Sequence, residues 1–284
     1  MSLKSPAPLE SPAADSFASD LRRDALAIRR KFLLMHYQAK AGHIGTGLSA
    51  IDILAFLHKS WLGPDDKFIL SKGHGASSLY ATLHHYGVFS DEVLDTYYKD
   101  GTLLPAHPAA GAFAAIPAAT GSLGHGLPIA AGIAFARKNL TRTAARVATL
   151  LSDGECNEGS VWEAASFAAH HQLSNLLVII DANGLQGFGA TRDVLDMEPM
   201  ADKWKAFGFD TREIDGHDFE QLREACSELH ATRPRCIVAR TDKGKGVAFM
   251  EGKMEWHYLP MSEAHYVEAL AGLDAESEHG AGPP

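Results

Sequence analysis

The sequence is poor in cysteine, in positive charge and in long apolar runs, and each shortage removes a class of protein. Only three cysteines, Cys156, Cys226 and Cys236, occur in 284 residues. They are odd in number and follow no Cys-x-x-Cys spacing, so no disulfide framework is expected and a reducing cytoplasm is the expected setting. Lys and Arg total 26 against 35 Asp and Glu, a net charge of −9. With no basic block, nucleic-acid binding through surface charge is not expected. No apolar stretch reaches the roughly 18 residues of a membrane span, and residues 1–8 lack the apolar core of a signal peptide. No internal repeat is visible. Gly244-Lys245-Gly246 lacks the Gly-x-x-x-x-Gly-Lys-Ser/Thr frame of a phosphate-binding P-loop. Lys243 and Lys245 are left with two readings, facing a phosphate or solvating a loop.

What is present is apolar material for one large domain, with 46% hydrophobic residues. Residues 1–15, rich in Pro, Ala and Ser, are expected to be disordered, residues 16–273 to form an α/β domain, and residues 274–284 to be a flexible tail. Helical spacing of Leu21, Ala25, Ile28, Phe32 and Met35 predicts an amphipathic helix over 16 to about 40, and a second is expected over 49–60. Ser90 followed by Asp91 and Glu92 predicts a capped helix start. Small residues over 124–139, and the stretches 159–171 and 218 to about 230, also read as helices. Short apolar runs at 67–70, 147–151, 176–180, 211–214 and 236–239 read as strands. Alternating strands and helices predict a doubly wound, mainly parallel sheet with helices on both faces.

Two of those strands end in chemistry. The run 147–151 leads into Ser152-Asp153-Gly154-Glu155, and the run 176–180 leads into Asp181-Ala182-Asn183-Gly184-Leu185. Asp153 and Asn183 are therefore expected at the carboxyl ends of neighbouring parallel strands, where open α/β sheets bind ligands. A carboxylate, an amide oxygen and a nearby backbone carbonyl are the hard oxygen donors that Mg²⁺ or Ca²⁺ prefers. Gly154 lets backbone approach a diphosphate, and a helix starting near Glu158 points free N–H groups the same way. Around this pair stand Gly42-His43-Ile44-Gly45, Gly73-His74-Gly75, Ala106-His107-Pro108, Gly121-Ser122-Leu123-Gly124 and Trp256-His257. Histidines on loops over a rigid sheet can move protons at neutral pH and bind hydroxyls.

In this order the motifs resemble those of the transketolase family, and specifically its thiamine-diphosphate-binding N-terminal half, over residues 20 to about 260. The resemblance implies a divalent metal (Mg²⁺, or Ca²⁺ or Mn²⁺) held by Asp153, Asn183 and the Leu185 carbonyl. It implies His74, Gly154 and Glu155 against the diphosphate of thiamine diphosphate, with Gly121, Ser122 and Leu123 at its aminopyrimidine. His43, His107 and His257 would line the donor-sugar channel, His257 also reaching the cofactor, and Glu158 would lie at a subunit contact linking paired active sites. The implied reaction moves a two-carbon ketol unit from a ketose phosphate to an aldose phosphate. The family's pyrimidine-binding and C-terminal domains have no counterpart here. The chain is therefore expected to be the N-terminal subunit of a split transketolase, active with a separate C-terminal, pyrimidine-binding subunit in an α2β2 assembly. Two features depart from the family pattern: His125 follows Gly124, and Tyr258 follows His257 where relatives commonly carry Gly. The alternatives are the α chain of a 2-oxo-acid dehydrogenase, a 1-deoxyxylulose-5-phosphate synthase-like enzyme and a noncatalytic paralogue.

Overall fold

The computed structural model describes residues 14–280. Of the segment expected to be disordered, residues 1–13 lie outside the described residues, and Ala14 already opens the first helix. The helices are α1 (Ala14–Ala39), α2 (Ile44–Phe56), α3 (Ala76–His85), α4 (Asp91–Leu94), α5 (Gly126–Phe135), α6 (Gly159–His170), α7 (Thr191–Leu195), α8 (Met200–Ala206), α9 (Phe219–Cys226) and α10 (Glu263–Gly280). The strands are β1 (Lys67–Leu70), β2 (Val147–Ser152), β3 (Leu176–Ala182), β4 (Leu185–Gln186), β5 (Gly189–Ala190), β6 (Asp210–Asp215) and β7 (Arg235–Arg240).

Five strands form one parallel sheet in the order β1-β2-β3-β7-β6, and β4 and β5 form a separate antiparallel hairpin. Strand β3 is buried along its whole length, as a central parallel strand covered on both faces must be. Its side chains alternate between two cores. Leu177 and Ile179 join Leu150 and Ile237 under α1, α2, α3 and α9. Val178 and Ile180 join Leu151 and Val238 under α5, α6 and α8. The steps from β1 to β2 to β3 run in one direction, which places α5 and α6 on one face. The step from β6 back to β7 reverses direction, so its right-handed crossover places α9 on the other face.

Helix ends follow local chemistry. The Ser90 hydroxyl accepts from Val93 N–H at 3.4 Å, and Asp218 Oδ1 accepts from Glu220 and Gln221 N–H at 2.9 and 3.1 Å. Three boundaries differ from the sequence expectation. α2 begins at Ile44 rather than near 49, because Gly45 and Gly47 lie inside its first turns. A Cβ at Gly47 would sit 2.4 Å from the Phe32 ring, so this glycine lets α2 close on α1 and does not mark a loop. α9 stops at Cys226, short of 230, where Glu228 turns to φ 43°. α10 runs through residues 274–280, inside the stretch expected to be a loose tail. Arg30 there donates to the Asp274 carboxylate.

Candidate active site

Strands β1, β2 and β3 lie side by side, and each delivers a loop to the same end of the sheet. After β1 comes Ser71-Lys72 and the 3-10 turn Gly73–Gly75; after β2 comes Asp153 and the 3-10 turn Gly154–Asn157; after β3 come Asn183 and the β4–β5 hairpin. They enclose a cavity of about 240 Å³ whose wall includes His43, His74, Gly121, Leu123, Asp153, Gly154, Asn183, Leu185 and His257. Nine of the residues expected at the site are thus brought together.

Asp153 is buried and held by three neutral donors. Gly154 N–H reaches Oδ1 at 2.7 Å, while Gly184 N–H and the Thr191 hydroxyl reach Oδ2 at 2.7 and 3.2 Å. Burial, then the nearby Asp181 charge, pushes its carboxyl above the usual range. A buried carboxylate beside the Asn183 amide oxygen and the Leu185 carbonyl is an all-oxygen donor set that suits a hard divalent cation, and the residues fit one.

Three histidines face one another across the cavity. The His43 ring lies 5.1 Å from that of His257 and 5.6 Å from that of His74, and His74 lies 5.8 Å from His257. His43 takes a left-handed conformation at φ 63° just before α2, and its N–H donates to the His257 carbonyl at 3.0 Å. That bond ties the start of α2 to the distant 3-10 turn Met254–His257. Burial holds all three imidazoles below their ordinary pKa, and His257 falls to about 3 with the help of the Lys243 charge. They are neutral at pH 7, so each ring can both donate and accept. Lys243 Nζ lies 3.0 Å from His257 Nδ1, which leaves the imidazole proton on Nε2.

His107 stands beside the cavity, its ring 6.2 Å from that of His43 and packed against Gly121. Three expected residues sit elsewhere. Glu155 is buried away from the cavity; its carboxylate accepts from Ser71 Oγ at 2.5 Å, Gly124 N–H at 2.9 Å and Ser152 N–H at 3.3 Å. It pins three loops together, as a fully buried carboxylate satisfied by nearby donors does, and it does not line the cavity. Glu158 directly precedes α6, is exposed and does not line the cavity. Ser122 is also exposed and off the cavity wall, between Gly121 and Leu123.

The sequence left Lys243 open and gave Lys72 no role. Lys243 is buried, with Nζ 3.3 Å from the Leu185 carbonyl, and burial together with the Lys72 charge holds it down to about 8. Lys72 is fully buried and pairs with Asp181 at 2.5 Å while donating to the Thr46 carbonyl at 2.9 Å. Lys72 is thus neutralised inside the core, whereas Lys243 sits against Leu185 and His257, two residues of the cavity wall, where an ammonium suits an anion such as a diphosphate. The signal for Lys72 was its position two residues past Leu70, where β1 ends. Lys245, by contrast, pairs with Asp242 at the surface.

A doubly wound α/β domain with a histidine-walled cavity at the carboxyl ends of β2 and β3 has the form of a cofactor-binding domain. The chain belongs to the transketolase family: residues 23–277 match its thiamine diphosphate binding domain. It is 38% identical over 250 residues to one of the subunits of the apulose-4-phosphate transketolase of Actinobacillus succinogenes, covering 84% of this chain and 90% of that one. It is 37% identical over 270 residues to the 6-deoxy-6-sulfo-D-fructose transketolase subunit of a Clostridium species, covering 90% and 97%. Among solved structures, the transketolase of Campylobacter jejuni superposes with a TM-score of 0.80 at 27% identity, covering 91% of this chain and 43% of that one. The chain therefore spans less than half the length of that transketolase.

Proposed function

We propose that the chain is the N-terminal subunit of a two-chain, Mg²⁺- and thiamine-diphosphate-dependent transketolase acting on phosphorylated sugars. The observation that carries this reading is the convergence of Asp153, Asn183 and the Leu185 carbonyl with His43, His74 and His257 around one cavity. Relatives of nearly the same length are themselves named as transketolase subunits, which supports a separate partner, and the reading takes the two chains to assemble as α2β2. Asp153, Asn183 and Leu185 would hold the metal, and Lys243 and His74 would face the diphosphate. When bound, the cofactor supplies the electron sink for cleaving a ketose C2–C3 bond. This chain's part is to position and to move protons: neutral His43 and His257, with His107 at the rim, exchange protons with the sugar hydroxyls. The neutral histidine set favours this reading over a 2-oxo-acid dehydrogenase, whose substrate has fewer hydroxyls to hold. Three free, buried cysteines support a reducing cytoplasm.

The test is ketol transfer to ribose 5-phosphate with Mg²⁺ and thiamine diphosphate, by the chain alone and with a C-terminal transketolase subunit from the same source. Donors should include xylulose 5-phosphate and the apulose and sulfofructose substrates named for the relatives. Transfer by the pair and none by the chain alone is expected. Full activity from the chain alone would overturn the two-chain reading.

A further inference from the structure

An amide side chain offers a metal its oxygen or repels it with its NH₂, and something must decide which end faces the cavity. At Asn183 that decision is made outside the cavity. Asn183 Nδ2 donates to Ser49 Oγ at 3.3 Å, and Ser49 Oγ in turn donates to Asp181 Oδ2 at 2.7 Å. Asp181 is wholly buried and paired with Lys72 at 2.5 Å, and it also accepts from the Thr241 hydroxyl. Besides the amide, the Ser49 hydroxyl meets only acceptors, this carboxylate at 2.7 Å and the Thr46 carbonyl at 3.1 Å, so its single proton is taken up on that side. The Ser49 lone pair then faces Asn183, and the amide must turn its NH₂ that way. On the opposite side, the Leu185 N–H approaches Asn183 Oδ1 at 3.2 Å, which demands the same orientation.

We propose that Ser49, on α2, is a positioning residue for the metal site: it fixes the amide of Asn183 so that Oδ1 faces the cation. This rests on the ligand assignment in the proposed function and adds to it a residue that touches neither metal nor cofactor. Ser49 is fully buried in the middle of a helix and lies 134 positions from Asn183 in sequence, so no local pattern marks it. Partners behind metal ligands commonly contribute 10–100-fold in affinity.

The experiment is Mn²⁺ binding to the assembly of this chain with its C-terminal partner subunit in the presence of thiamine diphosphate, followed by electron paramagnetic resonance. Ser49→Ala should weaken Mn²⁺ binding about 10–100-fold while the metal-free variant keeps its circular dichroism spectrum and a cooperative melt. Thr241→Val removes the other hydroxyl from Asp181 but leaves Ser49 in place, and should stay within about 3-fold of wild type. In an Asn183→Asp background both oxygens are equivalent, and Ser49→Ala should cost less than about 3-fold further. A Thr241→Val loss equal to that of Ser49→Ala, or a Ser49→Ala penalty that persists with Asn183→Asp, would overturn the positioning role. Absence of Mn²⁺ binding by the wild-type assembly would instead sink the ligand assignment beneath it, and the inference with it.

Discussion

His107 separates two jobs that the cavity residues share. Its ring is half-buried at the rim, packed on Gly121 and within reach of His43, but it touches neither the Asp153–Asn183 donors nor the two lysines. Burial alone lowers its pKa, so it is neutral at pH 7 and available to a sugar hydroxyl. His107→Ala should lower ketol-transfer kcat/KM by about 100-fold, the range of one lost proton-transfer group, while thiamine diphosphate and Mg²⁺ affinity stay within a few-fold. Calorimetric titration of cofactor beside steady-state kinetics tests this, and a comparable loss of cofactor affinity would show that His107 supports the diphosphate site instead. The two lysines show what sequence leaves out at this scale. A lysine in a loop is usually a solvated charge, and only the fold reveals that Lys72 and Lys243 are buried while Lys245 is at the surface.

At the scale of elements, the site depends on how closely α5 approaches the loop after β1. A Cβ on Gly126 would lie 2.3 Å from Ser71 Oγ and 2.5 Å from Ser71 Cα. Part of that contact is backbone, so Gly126→Ala must displace α5 or the loop rather than swing a side chain aside. Ser71 also donates to Glu155, which holds Gly124 and Ser152, so the displacement spreads to three loops. Overpacking of this kind costs ~1–3 kcal/mol. Gly126→Ala should lower the urea midpoint accordingly and weaken thiamine diphosphate binding in the same variant. Unchanged cofactor binding in a destabilised protein would show that the loops are independent. The same contacts explain which elements were legible. Strands β1, β2, β3 and β7 are short apolar runs bounded by turns, and their positions could be read directly. α2 was misplaced because its glycines serve packing. α7, α8 and the β4–β5 hairpin escaped because short elements carry too few residues to establish a period.

For the whole molecule, alternating strands and helices made the doubly wound class legible, but the reversal that places β7 between β3 and β6 was not. Strand order is set by pairings between distant segments, and no local pattern encodes it. Ionisation is likewise a property of the assembled core. His36 on α1 is fully buried, with its Nδ1 N–H donating to the Ala41 carbonyl at 3.2 Å and its Nε2 accepting from Ser77 Oγ at 2.7 Å. Both bonds suit the neutral ring, and burial holds its pKa down from 6.5 to about 4. The unfolded chain therefore takes up a proton near pH 6.5 that the folded chain refuses until about pH 4. The stability this group contributes is complete above pH 6.5 and is lost as pH falls towards 4, by ~3 kcal/mol. His58, also held at about 4 by burial, adds a second proton to the same window. Urea unfolding at steps between pH 7 and pH 4 should show stability falling with acid, and His36→Asn should flatten the slope by about one proton. A slope unchanged in that variant would mean that His36 is protonated in the folded core, with its hydrogen bonds rearranged.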